Sequence, residues 1–249
     1  MHTSKILLFA ALSFAPFLVS GCWQEPVAEK KSSAITAATP LFNGQNLDGW
    51  TAFPETKEGA APTWSVEDGN LRCSGQPAGY LKTNERYSDY RLFVDWRWDG
   101  PAPLNNEGRP VTRNNGVLLR MQGEDQIWPK SLEGQLMEGN AGDFYVIGGV
   151  ETNEWRANRD KAVAAAGDDE KARNNALGNR RIVKAQPSSE KPAGEWNTYE
   201  ILCQGDTVVL KVNGVEQNRT TGVTVQEGHI CLQSEGAPIT FRNVRIERL

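Results

Sequence analysis

The chain has 249 residues and a formal net charge of −4, with 27 Lys and Arg scattered among 31 Asp and Glu. This distribution forms no basic stripe or polybasic patch, so nucleic acid is excluded as an expected partner. Beyond the N-terminal segment the only histidine is His229, so mechanisms that need several histidines, such as a multi-histidine metal site, are excluded as well.

The N-terminus predicts export. Met1–Lys5 is a short charged start and Ile6–Val19 is an apolar run, as in a signal peptide. The run is shorter than the 18 or so residues expected of a membrane-spanning helix. It ends in Ser20-Gly21-Cys22, which resembles a bacterial lipobox. This resemblance implies cleavage after residue 21 and lipid attachment at Cys22; an ordinary signal peptide with a chance cysteine is the alternative.

The residue after Cys22 is Trp23 and not aspartate, which by analogy with lipoprotein sorting predicts the outer membrane of the cell envelope. An Ala-, Ser- and Lys-rich stretch follows and is typical of a flexible tether. The predicted organisation is therefore a signal peptide over 1–21, a tether over 22–39 and one domain over 40–249.

Three cysteines lie in this domain, at positions 73, 203 and 231. An odd number allows at most one internal disulfide. Cys203 and Cys231 both fall in strand-like segments and form the preferred pair, with buried free thiols as the alternative.

Alternation of apolar and polar residues predicts antiparallel strands along the domain. In Tyr90–Trp98 every second residue from Leu92 onward is apolar and predicts a core-facing surface. Asp68-Gly69 and Asn213-Gly214 predict two-residue hairpin turns. Further candidate strands are Gly116–Gln122, Ser131–Glu138, Phe144–Ile147, Thr198–Cys203, His229–Gln233 and Ile239–Glu247. Such spacing favours a sandwich or a barrel.

One polar segment, Gly149–Gly194, interrupts this pattern. Its Ala-rich part, Asp160–Ala176, predicts a short helix. A segment of this length and composition is typical of a lid or a mobile insertion with few core contacts.

Several motifs together identify the chain as similar to the 3-keto-disaccharide hydrolase family. They are Leu41-Phe42-Asn43-Gly44 with Leu47-Asp48-Gly49-Trp50, Gly79-Tyr80-Leu81-Lys82-Thr83, Tyr87-Ser88-Asp89-Tyr90, Asp95-Trp96-Arg97, Asn114-Asn115-Gly116-Val117, Ser131-Leu132-Glu133-Gly134-Gln135, Gly194-Glu195-Trp196-Asn197, Ile230-Cys231-Leu232-Gln233-Ser234-Glu235-Gly236 and Phe241-Arg242-Asn243-Val244. The resemblance spans Leu41 to Leu249. It implies an all-β, two-sheet antiparallel jelly roll of the concanavalin-like lectin and glucanase type. Trp50, Trp96 and Trp196 are expected in its core.

Ser131–Glu138 is the candidate catalytic strand. If Leu132 and Leu136 face the core, Glu133 and Gln135 face the open side. A one-residue bulge would bring Glu138 to the same side. The resulting Glu-x-Gln-x-x-Glu pattern is similar to the Glu-x-Asp-x-x-Glu strand of jelly-roll glucanases, with Gln135 in place of the middle carboxylate.

The family resemblance implies a glycoside hydrolase in which a 3-keto group acidifies the C2 hydrogen, a base removes it, the C1 substituent leaves and water adds. Glu133 and Glu138 are candidates for base and acid, and Gln135 for a hydroxyl ligand. Arg97 or Arg120 would supply positive charge. For the carboxylates the alternative is a solvated or salt-bridged strand face.

Three of these assignments depend on local pattern. Arg120 is expected on the open side if Val117 and Leu119 face the core, with a cross-strand ion pair as the alternative. Trp128, an apolar ring in a polar loop, is the candidate sugar-stacking side chain. Asp143 is a turn residue first and a substrate ligand second.

No cluster at zinc spacing and no Asp-rich calcium loop occurs in the sequence. No cofactor is therefore predicted, although a dispersed carboxylate metal site is left open. The expected partner is an oligosaccharide or glycoside, with membrane contact only through the lipid. The rival hypothesis is a non-catalytic, lectin-like module that binds glycan at the cell surface.

Overall fold

The computed structural model describes residues 37–249. The predicted signal peptide, Cys22 and most of the predicted tether lie outside these residues. Among the described residues, none of the helices has the length and apolarity needed to cross a membrane.

The domain is a sandwich of two antiparallel sheets, as predicted. In sheet A the strand order is β13-β12-β11-β6-β15-β4-β3, with β1 paired to β15; in sheet B it is β10-β9-β8-β7-β14-β5-β2. The strands are β1 Thr39–Pro40, β2 Trp50–Phe53, β3 Trp64–Glu67, β4 Asn70–Cys73, β5 Gly79–Thr83, β6 Tyr90–Trp98, β7 Gly116–Gln122, β8 Lys130–Gln135, β9 Phe144–Ile147, β10 Arg181–Ile182, β11 Asn197–Gln204, β12 Thr207–Val212, β13 Val215–Thr220, β14 His229–Ser234 and β15 Ile239–Arg248.

The core lies between the sheets and follows the predicted alternation. In β6, Leu92, Val94 and Trp96 are fully buried and belong to one continuous apolar cluster with residues of both sheets. Trp50 is also buried, as expected. The expectation that Trp196 lies in the core is wrong, because its ring stacks against arginine side chains on the outer side of sheet A.

Both predicted hairpin turns are confirmed. Asp68-Gly69 joins β3 to β4, and Asn213-Gly214 joins β12 to β13. All four residues have positive φ, between 50° and 82°, which is the conformation that two-residue hairpins of this type require.

The polar insertion is packed against the sandwich, so the expectation of few core contacts is wrong. It forms two helices, α1 Asn153–Ala166 and α2 Glu170–Gly178, followed by β10, which extends sheet B beside β9. Val150, near its start, and Ile182, in β10, are both buried. The insertion thereby builds one wall above the outer face of sheet B.

The preferred Cys203–Cys231 disulfide is not formed. Cys73, Cys203 and Cys231 are buried free thiols. Cys203 lies in the core between the sheets, whereas Cys231 packs with Tyr80 and Leu118 in a separate cluster on the outer face of sheet B. The body of sheet B separates the two thiols, because alternate residues of a strand point to opposite faces.

Candidate active site

A cavity of about 460 Å³ lies on the outer face of sheet B. Its floor is formed by β8 and β9, and the segment from α2 to β10 forms a wall. The lining residues are Asn114, Trp128, Glu133, Gln135, Met137, Tyr145, Ile147, Gly178, Asn179, Arg180, Arg181 and Glu235. We call this cavity the sheet-B pocket; it is large enough for a small glycoside.

Glu133 lies in the floor of the pocket, on the face that the alternation of β8 predicts. Its side chain is only 4% exposed, and Oε1 has no hydrogen-bond partner among the described residues. Burial, with a smaller contribution from the charge of Glu235, raises the pKa of Glu133 to about 8. Near neutral pH this carboxyl therefore holds a proton.

Gln135 and Trp128 also line the pocket. The Gln135 side-chain oxygen accepts hydrogen bonds from the backbone N–H groups of Leu136 and Met137, at 2.9 and 2.8 Å. These bonds fix the amide, so that its NH₂ group is the part left to bind a ligand. The Trp128 side chain is 46% exposed and provides an apolar surface at the pocket.

Glu138 does not line the pocket, and the predicted bulge does not form. Glu133, Gln135 and Met137 all line it, so the alternation continues unbroken and turns Glu138 away. Its carboxylate instead pairs with Arg113, with Nη1 and Oε2 2.8 Å apart.

The prediction that Arg120 shares the open face with Glu133 is wrong. A register shift in β7 follows Leu119, and Arg120 adopts a φ of 52°. Its guanidinium is 1% exposed and donates to the backbone carbonyls of Ser88, Gly205 and Val225. Arg120 therefore joins three segments of backbone away from the pocket.

The other predicted arginine, Arg97, lies on sheet A. Its guanidinium is 5.0 Å from the Trp196 ring centroid and its Nε lies 3.3 Å from Asp99. Because β6 belongs to the opposite sheet, Arg97 cannot reach the sheet-B pocket.

Asp143 is fully buried and does not line the pocket; it contacts Arg181 of the pocket wall instead. One carboxylate oxygen accepts a 2.6 Å hydrogen bond from Arg181 Nε, and the other accepts a 2.7 Å bond from the backbone N–H of Lys184. The prediction of a turn residue is confirmed, because its backbone N–H donates to Asn140. Asp143 thus fixes Arg181, which lines the pocket in its place.

Within residues 37–249, no group of three or more His, Cys, Asp or Glu side chains could hold a metal ion. The titratable groups that line the pocket are two carboxyls, the Tyr145 hydroxyl and the arginines of the wall.

Residues 37–247 match the family described as the 3-keto-alpha-glucoside-1,2-lyase-like domain. The chain belongs to this family. A 3-keto-disaccharide hydrolase of Bacteroides thetaiotaomicron is 21% identical over 247 residues, which cover 84% of this chain and 77% of that protein.

Solved structures show the same fold. A candidate glycosyl hydrolase from Parabacteroides distasonis superposes with a TM-score of 0.55 at 20% identity, covering 85% of this chain and 94% of that one. A Bacillus licheniformis β-glucanase gives a TM-score of 0.51 at 13% identity, covering 88% and 99%. At these identities the likeness shows the jelly-roll fold.

The second carboxyl in the pocket of this 3-keto-alpha-glucoside-1,2-lyase-like domain is Glu235, which was not among the predicted site residues. Burial raises its pKa to about 7, against a smaller lowering by a hydrogen bond from Asn114. The signal was present in the sequence: Ile230 and Leu232 are core residues, so the same alternation directs positions 233 and 235 outward.

Glu133 and Glu235 thus face the same pocket, and the pKa values of both are raised toward neutral pH. The Asn114 hydrogen bond favours ionised Glu235, whereas the deeper burial of Glu133 favours its neutral form. Glu235 is therefore the carboxyl that ionises more readily, and Glu133 is the one that more readily keeps its proton.

Proposed function

We propose that this protein cleaves 3-keto-glycosides by elimination and hydration. The observation that carries this proposal is a pair of carboxyls, the buried Glu133 and the half-buried Glu235, facing one pocket with raised pKa values. A lectin needs only neutral hydrogen bonds and stacking, whereas this pair imposes the desolvation of two ionisable groups. The family description and the name of the Bacteroides relative support the same chemistry.

In the proposed reaction, ionised Glu235 removes the proton from C2, and the electron pair moves into an enolate with the C3 oxygen. The C1–O bond then breaks, a C1–C2 double bond forms, and protonated Glu133 gives its proton to the departing oxygen. The C3 carbonyl reforms, water adds at C1 and passes one proton to Glu133, and Glu235 protonates C2 after its proton has exchanged with solvent. The products are a free 3-keto sugar and an alcohol, and both carboxyls regain their starting states. Arg181, held by Asp143, supplies positive charge at the pocket wall.

Retaining hydrolysis of ordinary glycosides fits the site less well. On a glucanase-like strand that chemistry would need both outer glutamates, Glu133 and Glu138, beside the scissile bond. The glucanase-like strand of this chain carries glutamine at its middle position, and Glu138, which would be its second outer carboxylate, is paired with Arg113 outside the pocket.

The decisive experiment uses two substrates with the same aglycone, a 3-keto-glucoside and the unmodified glucoside, in D₂O. We expect aglycone release only from the 3-keto compound, with deuterium at C2 of the product at initial rates above the enzyme-free control. Release of product that retains hydrogen at C2 would contradict elimination. Release from neither substrate would instead favour the glycan-binding alternative.

We also propose that lipid on Cys22 holds the mature protein in the cell envelope. The support is the lipobox-like Ser20-Gly21-Cys22. We expect Cys22→Ala to move the protein from the detergent-extracted membrane fraction to the soluble fraction, because acyl chains supply the membrane affinity. Unchanged membrane fractionation of the variant would refute this anchor.

A further inference from the structure

Glu133 meets a second buried polar side chain, Gln233, directly above Gly116. The two come from β8 and β14, which flank β7 on either side. A methyl group on Gly116 would lie 2.4 Å from Glu133 Oε1 and 2.5 Å from Gln233 Oε1. The carboxyl and the amide therefore converge on the space that glycine leaves open.

None of the facing polar atoms has another partner. Gln233 is 2% exposed, and neither its oxygen nor its nitrogen makes a hydrogen bond to the residues described. Oε1 of Glu133 is also buried and makes no hydrogen bond to these residues. Buried polar groups left unpaired are costly, so adjacent unpaired groups are expected to bond to each other.

The backbone of Gln233 is fixed, which limits what its side chain can reach. Its carbonyl oxygen accepts a 2.6 Å hydrogen bond from Asn115 Nδ2, and its strand position pairs with Tyr80. A half-turn of the amide exchanges its oxygen and nitrogen and presents an N–H donor to Glu133 without moving the backbone.

The two oxygens of Glu133 are not equivalent. Oε1 is inaccessible to solvent and Oε2 is not among the buried, unpartnered atoms. Because Glu133 lines the pocket, Oε2 is the oxygen available to a ligand. A proton on Oε1 would point at Gln233 and be useless to a leaving group, whereas a proton on Oε2 would face it.

We propose that Gln233 is a positioning residue for Glu133: its amide N–H donates to Oε1 and so keeps the acid proton on Oε2. This inference rests on the proposed function for the leaving group that receives the proton. After proton transfer the same N–H bond stabilises the carboxylate that forms.

Other ionisable groups lie around Glu133. Beyond the effect of burial, the charge of Glu235, at the end of β14, raises the pKa of Glu133. The charge of Glu133 in turn adds to the effect of burial and raises the pKa values of Tyr145 in β9 and Tyr199 in β11, and Arg181 lowers that of Tyr145. These groups are unchanged in the variants below, so a change in Glu133 can be assigned to the amide.

The test is Gln233→Met, which keeps length and volume but removes both hydrogen-bonding atoms. The matched control is Gln217→Met, at a glutamine that is equally buried in sheet A and bonds to Ser189. Glu133 is titrated in the full protein by ¹³C NMR of its carboxyl carbon, assigned with Glu133→Gln. We expect its pKa to rise by about one unit in Gln233→Met and to stay unchanged in Gln217→Met, since a bond to the charged form is lost.

Kinetics supply the second readout. For a 3-keto-glycoside with an alkyl leaving group, kcat should fall about tenfold with KM within about twofold. With a nitrophenolate leaving group, which needs no proton, the loss should disappear. If Gln233 had only a structural role, its replacement would lower kcat equally for the alkyl and the nitrophenolate leaving groups.

An unchanged Glu133 titration in folded Gln233→Met would overturn the inference. If that variant does not fold, Gly116→Ala replaces it, because its methyl group must separate the two side chains; the same upward shift is then expected, and its absence overturns the inference too. The titration needs no substrate, so a wild-type protein without turnover would sink only the proposed function.

Discussion

Glu133 and Glu235 come from strands on either side of β7, yet both reach the sheet-B pocket. Strand alternation predicted the direction of Glu133 and could have predicted that of Glu235. It could not predict which outward residues lie close together, because that depends on strand order. Nor could it reveal Arg181, whose position depends on its ion pair with Asp143, 38 residues away in sequence.

The roles of the two carboxyls predict different responses to the leaving group. Glu235→Gln removes the base, so turnover of 3-keto-glycosides should fall by about 10²-fold or more whatever the leaving group. Glu133→Gln removes the acid and should show a similar loss only with an alkyl leaving group. Turnover is measured on both substrate types.

Glu138→Gln is the matched control, because this carboxylate pairs with Arg113 outside the pocket. Its turnover should stay within about twofold of wild type. A large loss in Glu138→Gln, with near-normal turnover in Glu235→Gln, would reverse our assignment.

Replacing Arg120 should lower the stability of the protein without lowering its turnover. Arg120→Met leaves the carbonyl oxygens of Ser88, Gly205 and Val225 without their donor, so the free energy of unfolding should drop by about 3 kcal/mol or more. Turnover per folded molecule should be preserved, as measured below the unfolding transition. The exposed Arg219→Met, which loses only a pair with Glu216, should change stability by about 0.5 kcal/mol or less. Loss of turnover in folded Arg120→Met would restore Arg120 to the active site.

At the scale of elements, periodicity predicted most strands to within a residue or two. Gly116–Gln122 and Phe144–Ile147 are confirmed with the predicted bounds. The predicted side-chain directions are wrong where β-bulges matter. A bulge was predicted before Glu138 and is absent, whereas a register shift near Arg120 was not predicted. A bulge is set by pairing with the neighbouring strands, which the local sequence does not contain.

The loop between β7 and β8 contains Trp128, and contacts of Asp125 with β5 hold this loop in place. This carboxylate accepts a 2.7 Å hydrogen bond from the Tyr80 hydroxyl and contacts Lys82 Nζ at 2.6 Å. Asp125→Asn weakens both contacts and loosens the loop. We expect KM to rise by about threefold to tenfold with kcat nearly unchanged, since stacking on Trp128 is lost and the carboxyls are untouched.

Asp168→Asn is the control for this loop, because Asp168 lies exposed in the turn between the two helices. It should leave KM unchanged. If Trp128→Ala raises KM but Asp125→Asn does not, Trp128 binds substrate without needing the anchor; if neither does, the ring is not a substrate contact.

At the scale of the whole molecule, the jelly-roll fold followed from motifs spread along the chain, not from any one strand. The polar insertion was the main error. Its composition predicted a loose segment, but Val150 near its start and Ile182 in β10 are buried in the core. The residues between α2 and the end of β10 supply the arginines of the pocket wall. Two apolar side chains in a long polar segment give too weak a periodic signal to predict such packing.

The two pocket carboxyls, Glu133 and Glu235, also set how the stability of the fold depends on pH. In the native state the pKa values of Glu133 and Glu235 are raised from 4.5 to about 8 and about 7. Between pH 4.5 and these values the native protein holds protons that the unfolded chain has released. Stability contributed by the neutral carboxyls is therefore present below pH 4.5 and is lost as pH rises toward 8.

Glu133→Gln removes the larger part of this dependence, because an amide does not titrate. Its thermal midpoint should match that of the wild type near pH 4.5 and exceed it by a growing margin up to about pH 8.5, where wild-type Glu133 must ionise in a dry site. Glu138→Gln, at a half-exposed surface pair, should run parallel to the wild type across the range. The midpoints are measured by calorimetry at matched ionic strength. A wild-type advantage at pH 8.5 would mean that Glu133 is stabilised as a carboxylate, and that the acid role proposed for it is wrong.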